Sequence, residues 1–275
     1  MSKVIPIAGI DVHVEGEGAE AIVMVHGWPD TYRLWDAQVD FLRDRYRCIR
    51  FTLPGFAAAH PRQAYSLDEM TSLFKQVIEQ VCPEQKVTLV LHDWGCTFGY
   101  EFYMRNPHMV ARIIGVDVGD KVSLQQSRTP RERLMVFTYQ CWLAIAWRIG
   151  GRIGDRMSRT MARLVRCPAP QTSIHSQMAY PYFMHWFGGR QSYRRHGQAF
   201  IPSCPILFIY GSRKPFMFHA KAWADDLLRG KSNEVVAFDT GHWVMSAQPE
   251  RFNQVVDNWL AASSPSVRVG SNRVE

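Results

Sequence analysis

No stretch of this chain approaches the roughly 20 consecutive apolar residues that a bilayer span requires, so no integral membrane segment is expected. The amino terminus, Met1-Ser2-Lys3-Val4-Ile5-Pro6, has neither the apolar core nor the cleavage site of a secretory signal, and a cytoplasmic location is the expectation. No two cysteines stand at C-x-x-C spacing. Cys48, Cys82, Cys96, Cys141, Cys167 and Cys204 are scattered, which argues against a disulfide framework or a zinc centre and for reduced, mostly buried small residues. Internal repeats are absent too. At 275 residues the chain is long enough for one large α/β domain with an inserted lid.

Acidic residues are scarce in one region. Residues 121–200 hold 13 Lys and Arg but only Glu132 and Asp155, a net +11 against +7 for the whole chain, so the remainder carries −4. That asymmetry marks a separate structural unit. A solvated helical face explains it most simply, with steering of anions as the alternative. No nucleic-acid-binding motif accompanies the charge, so nucleic acid is not an expected partner. The Arg-rich stretch Trp147 to Arg166 also suits anionic amphiphiles or a membrane surface.

Elsewhere the chain alternates. Short β-rich stretches, Val4 to Ile7 and Ile10 to Val14, precede strands at Ala21 to Val25, Arg47 to Thr52, Val87 to Leu91 and Val110 to Val116. Between them lie helical patterns around Leu34 to Leu42 and behind Ser66, whose apolar stripe is Met70, Phe74, Val77, Ile78 and Val81. After Asp117 the alternation stops until about Phe200. It resumes with strands at Pro205 to Tyr210 and Glu234 to Phe238 and helices at Ala220 to Leu228 and Pro249 to Ala262. The pattern implies a mostly parallel central sheet with helices on both faces. The core would be split into residues 1–120 and 201–262 around a helical cap at 121–200, with a flexible tail at 263–275.

A serine is missing where chemistry would be expected. Val87-Thr88-Leu89-Val90-Leu91-His92-Asp93-Trp94-Gly95 reads as a buried strand entering a tight turn and then a helix. That is the shape of a nucleophile elbow, G-x-S-x-G, with Asp93 at the serine position. A carboxylate is ionised at neutral pH and attacks saturated carbon, whereas a serine needs a base and attacks carbonyls. The N–H of Trp94 would point at the same spot, and that of Trp28, in His26-Gly27-Trp28-Pro29, would supply the second oxyanion donor. His242, in Asp239-Thr240-Gly241-His242-Trp243, is the candidate base. The acid that orients such a histidine commonly follows the strand ending at Tyr210, but Gly211-Ser212-Arg213-Lys214-Pro215 has no carboxylate. Asp117, ending Val110 to Val116, takes that role, with Asp120 as second choice.

With these residues in place the chain resembles the epoxide hydrolases of the α/β-hydrolase superfamily, its carboxylate-nucleophile branch, from about Ala21 to Leu260. The resemblance implies the α/β-hydrolase fold, an Asp93-His242-Asp117 triad and an epoxide as small-molecule substrate. It implies no metal or organic cofactor and leaves a homodimer open. It also implies two cap tyrosines that hold the epoxide oxygen: Tyr139 in Val136-Phe137-Thr138-Tyr139-Gln140, and Tyr182, with Tyr180 as alternate, in Tyr180-Pro181-Tyr182-Phe183. Trp28, Trp94 and Tyr180 are expected against the substrate. The same motifs occur in haloalkane and fluoroacetate dehalogenases, which remain the alternative beside a non-catalytic binding relative.

Overall fold

The computed structural model describes residues 2–263; the expected tail lies outside these apart from Ser263. Eight strands form a single sheet: β1 (Ser2–Ile7), β2 (Ile10–Glu15), β3 (Ala21–Val25), β4 (Arg47–Phe51), β5 (Val87–His92), β6 (Val110–Val116), β7 (Ile206–Gly211) and β8 (Glu234–Phe238). Their order is β1-β2-β4-β3-β5-β6-β7-β8. β2 pairs antiparallel with β1 and β4; every pairing from β4 to β8 is parallel. β3 and β5 are buried at every residue, which is why they read as unbroken apolar runs rather than as alternation.

Successive side chains point to opposite faces of the sheet, and so build two cores. Val23, Val25, Leu89 and Leu91 face one core, which includes residues of α2 (Leu67–Val81), α3 (Trp94–Arg105) and α9 (Lys221–Leu227). Ile22, Met24 and Val90 face the other, with α1 (Asp36–Leu42), α10 (Val244–Ala247) and α11 (Pro249–Ser263). The α2 stripe is buried as its spacing predicts, and Phe74 meets Phe51 and Phe102 at ring distances of 5.6 and 5.9 Å. Each such side chain contributes roughly 1.5–3 kcal/mol by leaving water.

Between β6 and β7 the chain is helical: α4 (Lys121–Ser127), α5 (Pro130–Ile149), α6 (Gly151–Leu164), α7 (Tyr180–Phe187) and α8 (Tyr193–His196). Asp120 ties this insertion shut. One carboxylate oxygen accepts from Ser123 N at 2.7 Å and caps α4, while the other accepts from Phe200 N at 2.9 Å at the far end. That corrects its candidacy as the acid beside His242: Asp120 is turned to backbone at the ends of the insertion, and the His242 ring bonds Asp117 instead. All six cysteines are free. Among the described residues no helix is long and apolar enough to cross a membrane.

Ser66 starts α2 with a capping box. Its hydroxyl accepts from Glu69 N at 3.2 Å, and the Glu69 carboxylate accepts from Ser66 N at 2.7 Å. Ser66→Ala removes half of that exchange and is expected to lower stability by about 1 kcal/mol. Urea unfolding checks this as a lower midpoint with an unchanged slope.

Candidate active site

Asp93 sits between β5 and α3 with φ 53° and ψ −120°, a backbone conformation that a non-glycine residue adopts only under external support. The support comes from close packing that two glycines permit. A Cβ on Gly27 would lie 2.3 Å from Asp93 Oδ1 and 2.5 Å from Trp94 N. A Cβ on Gly95 would lie 2.4 Å from the Val25 carbonyl oxygen. Glycine at both places lets the loop after β3 press against the turn, and Trp28 N–H then donates to Asp93 Oδ1 at 2.7 Å. The neighbouring Trp94 N–H also favours the charged form of this carboxylate.

His242 faces Asp93 from the loop after β8, with Nε2 at 3.4 Å from Oδ2. Its Nδ1–H donates to Asp117 Oδ2. Asp117 Oδ1 accepts from Gly211 N at 3.0 Å and is ion-paired with Lys214, which is itself almost fully buried. The three expected residues are thus brought into one line, acid to imidazole to carboxylate. His26 and His92 buttress it. His26 Nε2 accepts from Leu53 N at 3.0 Å, so its Nδ1 carries the proton and donates to Gly27 O at 2.9 Å. His92 Nε2 is 3.2 Å from the His242 carbonyl oxygen.

The charges shift in a consistent direction. Burial acts against ionisation of Asp117, but His242 and Lys214 outweigh it and hold the carboxyl down at about 2. Burial also opposes the His242 imidazolium, yet Asp117 and Asp93 outweigh it and lift the ring to about 9. Asp93 falls below the usual carboxylate range, because its His242 contact overcomes desolvation. At neutral pH the site therefore holds an ionised Asp93 against a protonated His242.

A cavity of about 430 Å³ opens over Asp93, and Trp94, Tyr139, Tyr182 and Phe218 contribute to its wall. Tyr182 meets Trp94, Trp28 and Tyr139 edge-on, at ring distances of 5.2, 5.8 and 6.1 Å. Burial pushes both phenols above their ordinary value of 10, so both stay protonated. Gln140 orients one of them. Trp186 Nε1–H can only donate, and it lies 2.8 Å from the Gln140 carbonyl oxygen. The amide nitrogen must then face Tyr139, to whose oxygen it donates at 3.2 Å. The hydroxyl proton of Tyr139 is left to point elsewhere.

Two expectations are corrected. Tyr180 does not reach the cavity: it is fully buried against Phe56 and Tyr65, with its hydroxyl on Met70 Sδ at 3.7 Å. Trp28 is also absent from the cavity wall: its indole is buried beside Tyr182, and it is its N–H that reaches Asp93. Lys214 and Gln140 were not anticipated. A cation in the turn after β7, where a carboxylate was looked for and missing, was the available signal for Lys214; nothing local pointed to Gln140. Among the described residues, no group of three His, Cys, Asp or Glu side chains is placed as metal ligands would be.

The sequence profile of the alpha/beta hydrolase family matches residues 22–255. A curated relative named probable oxidoreductase EphD, from Mycobacterium tuberculosis, is 32% identical over 111 residues, covering 38% of this chain. That alignment takes in only 19% of the relative's own length. Epoxide hydrolase 3 of Xenopus tropicalis is 21% identical over 277 residues, 92% of this chain and 75% of the relative. Among solved structures, a Bacillus megaterium epoxide hydrolase in complex with an inhibitor superposes with a TM-score of 0.71 at 20% identity, over 94% of this chain and all of that one. At such identity the superposition speaks for the fold.

The raised His242 value has a stability consequence of definite sign. Its ion pairs stabilise the fold fully below the ordinary histidine value of 6.5, and that contribution is lost as pH rises through about 9. Thermal melts of the wild type and His242→Gln from pH 6 to pH 10 should therefore converge at the alkaline end. A gap that widens with pH would contradict the assignment of the proton to His242.

Proposed function

The chain belongs to the alpha/beta hydrolase family, and on that premise we propose that it is an epoxide hydrolase working through a covalent ester on Asp93. The observation that carries the reading is the presence of two protonated phenols, Tyr139 and Tyr182, in the wall of the cavity that holds the Asp93 carboxylate. Displacing a halide requires no proton donor, whereas opening an epoxide leaves an alkoxide that does.

In the first step an Asp93 oxygen attacks a ring carbon, the C–O bond breaks, and its electron pair moves to the epoxide oxygen, which Tyr139 and Tyr182 hold by hydrogen bonds. Gln140 keeps the Tyr139 proton free for this purpose. Once esterified, Asp93 no longer carries charge, and one of the two anions that raised His242 is gone. The imidazolium then gives up its proton, which ends on the new hydroxyl group. In the second step neutral His242, oriented by Asp117, takes a proton from water as general base. The resulting hydroxide adds to the ester carbonyl while the Trp28 and Trp94 N–H groups receive the oxyanion. Collapse releases a vicinal diol and restores the Asp93 carboxylate against protonated His242. Splitting the hydrolysis in this way is ordinary nucleophilic catalysis and calls for no cofactor. In this reading the helical insertion, residues 121–200, acts as the cap that closes over the substrate.

The test is incubation with a styrene-type epoxide and, separately, a bromoalkane. Diol formation is expected, with a loss on the order of 10⁴-fold in Asp93→Asn and of about 10²-fold or more in Tyr139→Phe/Tyr182→Phe. His242→Gln should accumulate the ester, visible as a mass increment on the intact protein. Bromide release without diol would make the protein a dehalogenase, and turnover of neither would leave a binding relative.

A further inference from the structure

The cavity wall carries one carboxylate, Asp93, and four cations: Lys121, Arg128, Arg133 and Arg194. Within the described residues, none of these four pairs with an acidic side chain, although eleven other Lys and Arg do. Arg128 is the most constrained. Its Nε is buried and has no hydrogen-bond partner. A guanidinium N–H removed from bulk water without a protein acceptor is costly, so an ordered water or a bound ligand has to supply the acceptor here. Lys121 finds only the Tyr193 carbonyl at 3.3 Å, and Arg194 lies over the Trp186 ring at 4.4 Å. Arg194 and Trp186 also border a second hollow of about 410 Å³, so this end of the cavity is its basic side.

The aromatic end is continuous with the basic one. His185 stands 6.0 Å from the Trp94 ring and 5.1 Å from Trp186. After burial, Arg194, Lys121 and Arg128 push this ring down, to about 3, so these three cations converge where the aromatic wall ends. His185 remains neutral there and adds no charge of its own.

Resting on the epoxide-hydrolase reading, we infer that the physiological substrate is an amphiphile with an epoxide at Asp93 and a terminal oxyanion, a carboxylate or a phosphate, held by Lys121, Arg128 and Arg194. Guanidinium groups suit either oxyanion because their N–H donors match two oxygens at once. The aromatic wall between the two ends would take the apolar linker. The Arg133 side chain is exposed and bonded to the Arg128 and Gln125 carbonyls, so it contributes field rather than contact.

The experiment compares three epoxides of equal chain length: an epoxyalkanoate, its methyl ester and the matching epoxyalkyl phosphate. The acid is expected to have a KM about tenfold below that of the ester at low salt, the gap narrowing as ionic strength rises. Arg128→Gln should reduce the ester-to-acid KM ratio toward one. If the phosphate shows the larger gap, the head group is a phosphate; if the acid does, it is a carboxylate. Equal KM for acid and ester, or a ratio unmoved in Arg128→Gln, would overturn the inference while leaving epoxide hydrolysis intact. Should no epoxide be turned over, tryptophan fluorescence titration with an alkanoate and the matching alkanol still decides it: tighter alkanoate binding that weakens in Arg128→Gln supports the anion site, and equal binding removes it.

Discussion

Asp117 is a fully buried charge, and the site is arranged around making that tolerable. A carboxylate withdrawn from water must be paired and hydrogen-bonded or give up its charge. Here it receives the His242 ring, the Lys214 ammonium and the Gly211 N–H. Three separate segments, the ends of β6 and β7 and the loop after β8, are thereby tied to one atom pair. Because Asp117 stays ionised, Nδ1 of His242 is always its donor, and Nε2 is always the nitrogen that faces Asp93. Removing Lys214 would leave Asp117 buried beside fewer partners, so the lysine is a positioning residue for a histidine it does not touch.

The same constraint links chemistry to fold. Asp93 holds its uncommon backbone conformation because the loop after β3 packs against it, and that contact depends on Gly27 and Gly95 having no side chains. The sheet supplies rigidity through β3 and β5, buried on both faces, while the insertion supplies the phenols. Asp120 holds the two ends of that insertion together, so an acidic residue three positions from Asp117 anchors the insertion and does not meet His242.

Much of this was legible in the chain because it is written in turns. A strand running into His92-Asp93-Trp94-Gly95 leaves few conformations open, and His242 and Asp117 follow from where parallel strands end. The central sheet covered by helices on both faces was legible as well, since continuous apolar runs and the capped stripe behind Ser66 are local signals. The choice between Tyr180 and Tyr182 was not. Two positions along a helix turn the side chain through about 200°, so one of the pair must face away, and only the packing of α7 on Phe56 and Tyr65 decides which. Trp28 shows the complementary limit: the position of its N–H follows from the loop, whereas the burial of its indole beside Tyr182 is a long-range contact. Lys214 and Gln140 act through partners about 100 and 46 residues away, or through a neighbour whose orientation a distant tryptophan dictates, and sequence spacing carries no record of such contacts.

The central claim is that Asp93 becomes covalently attached to the substrate and that water then attacks the ester carbonyl rather than the epoxide. A single turnover in heavy-oxygen water, with enzyme in excess over epoxide, bears on it most directly. Mass spectrometry of the diol and of the peptide containing Asp93 should find the first-formed diol unlabelled and one heavy oxygen in the Asp93 side chain. Heavy oxygen in that first diol, with none in Asp93, would contradict the account, because water would then have opened the ring itself.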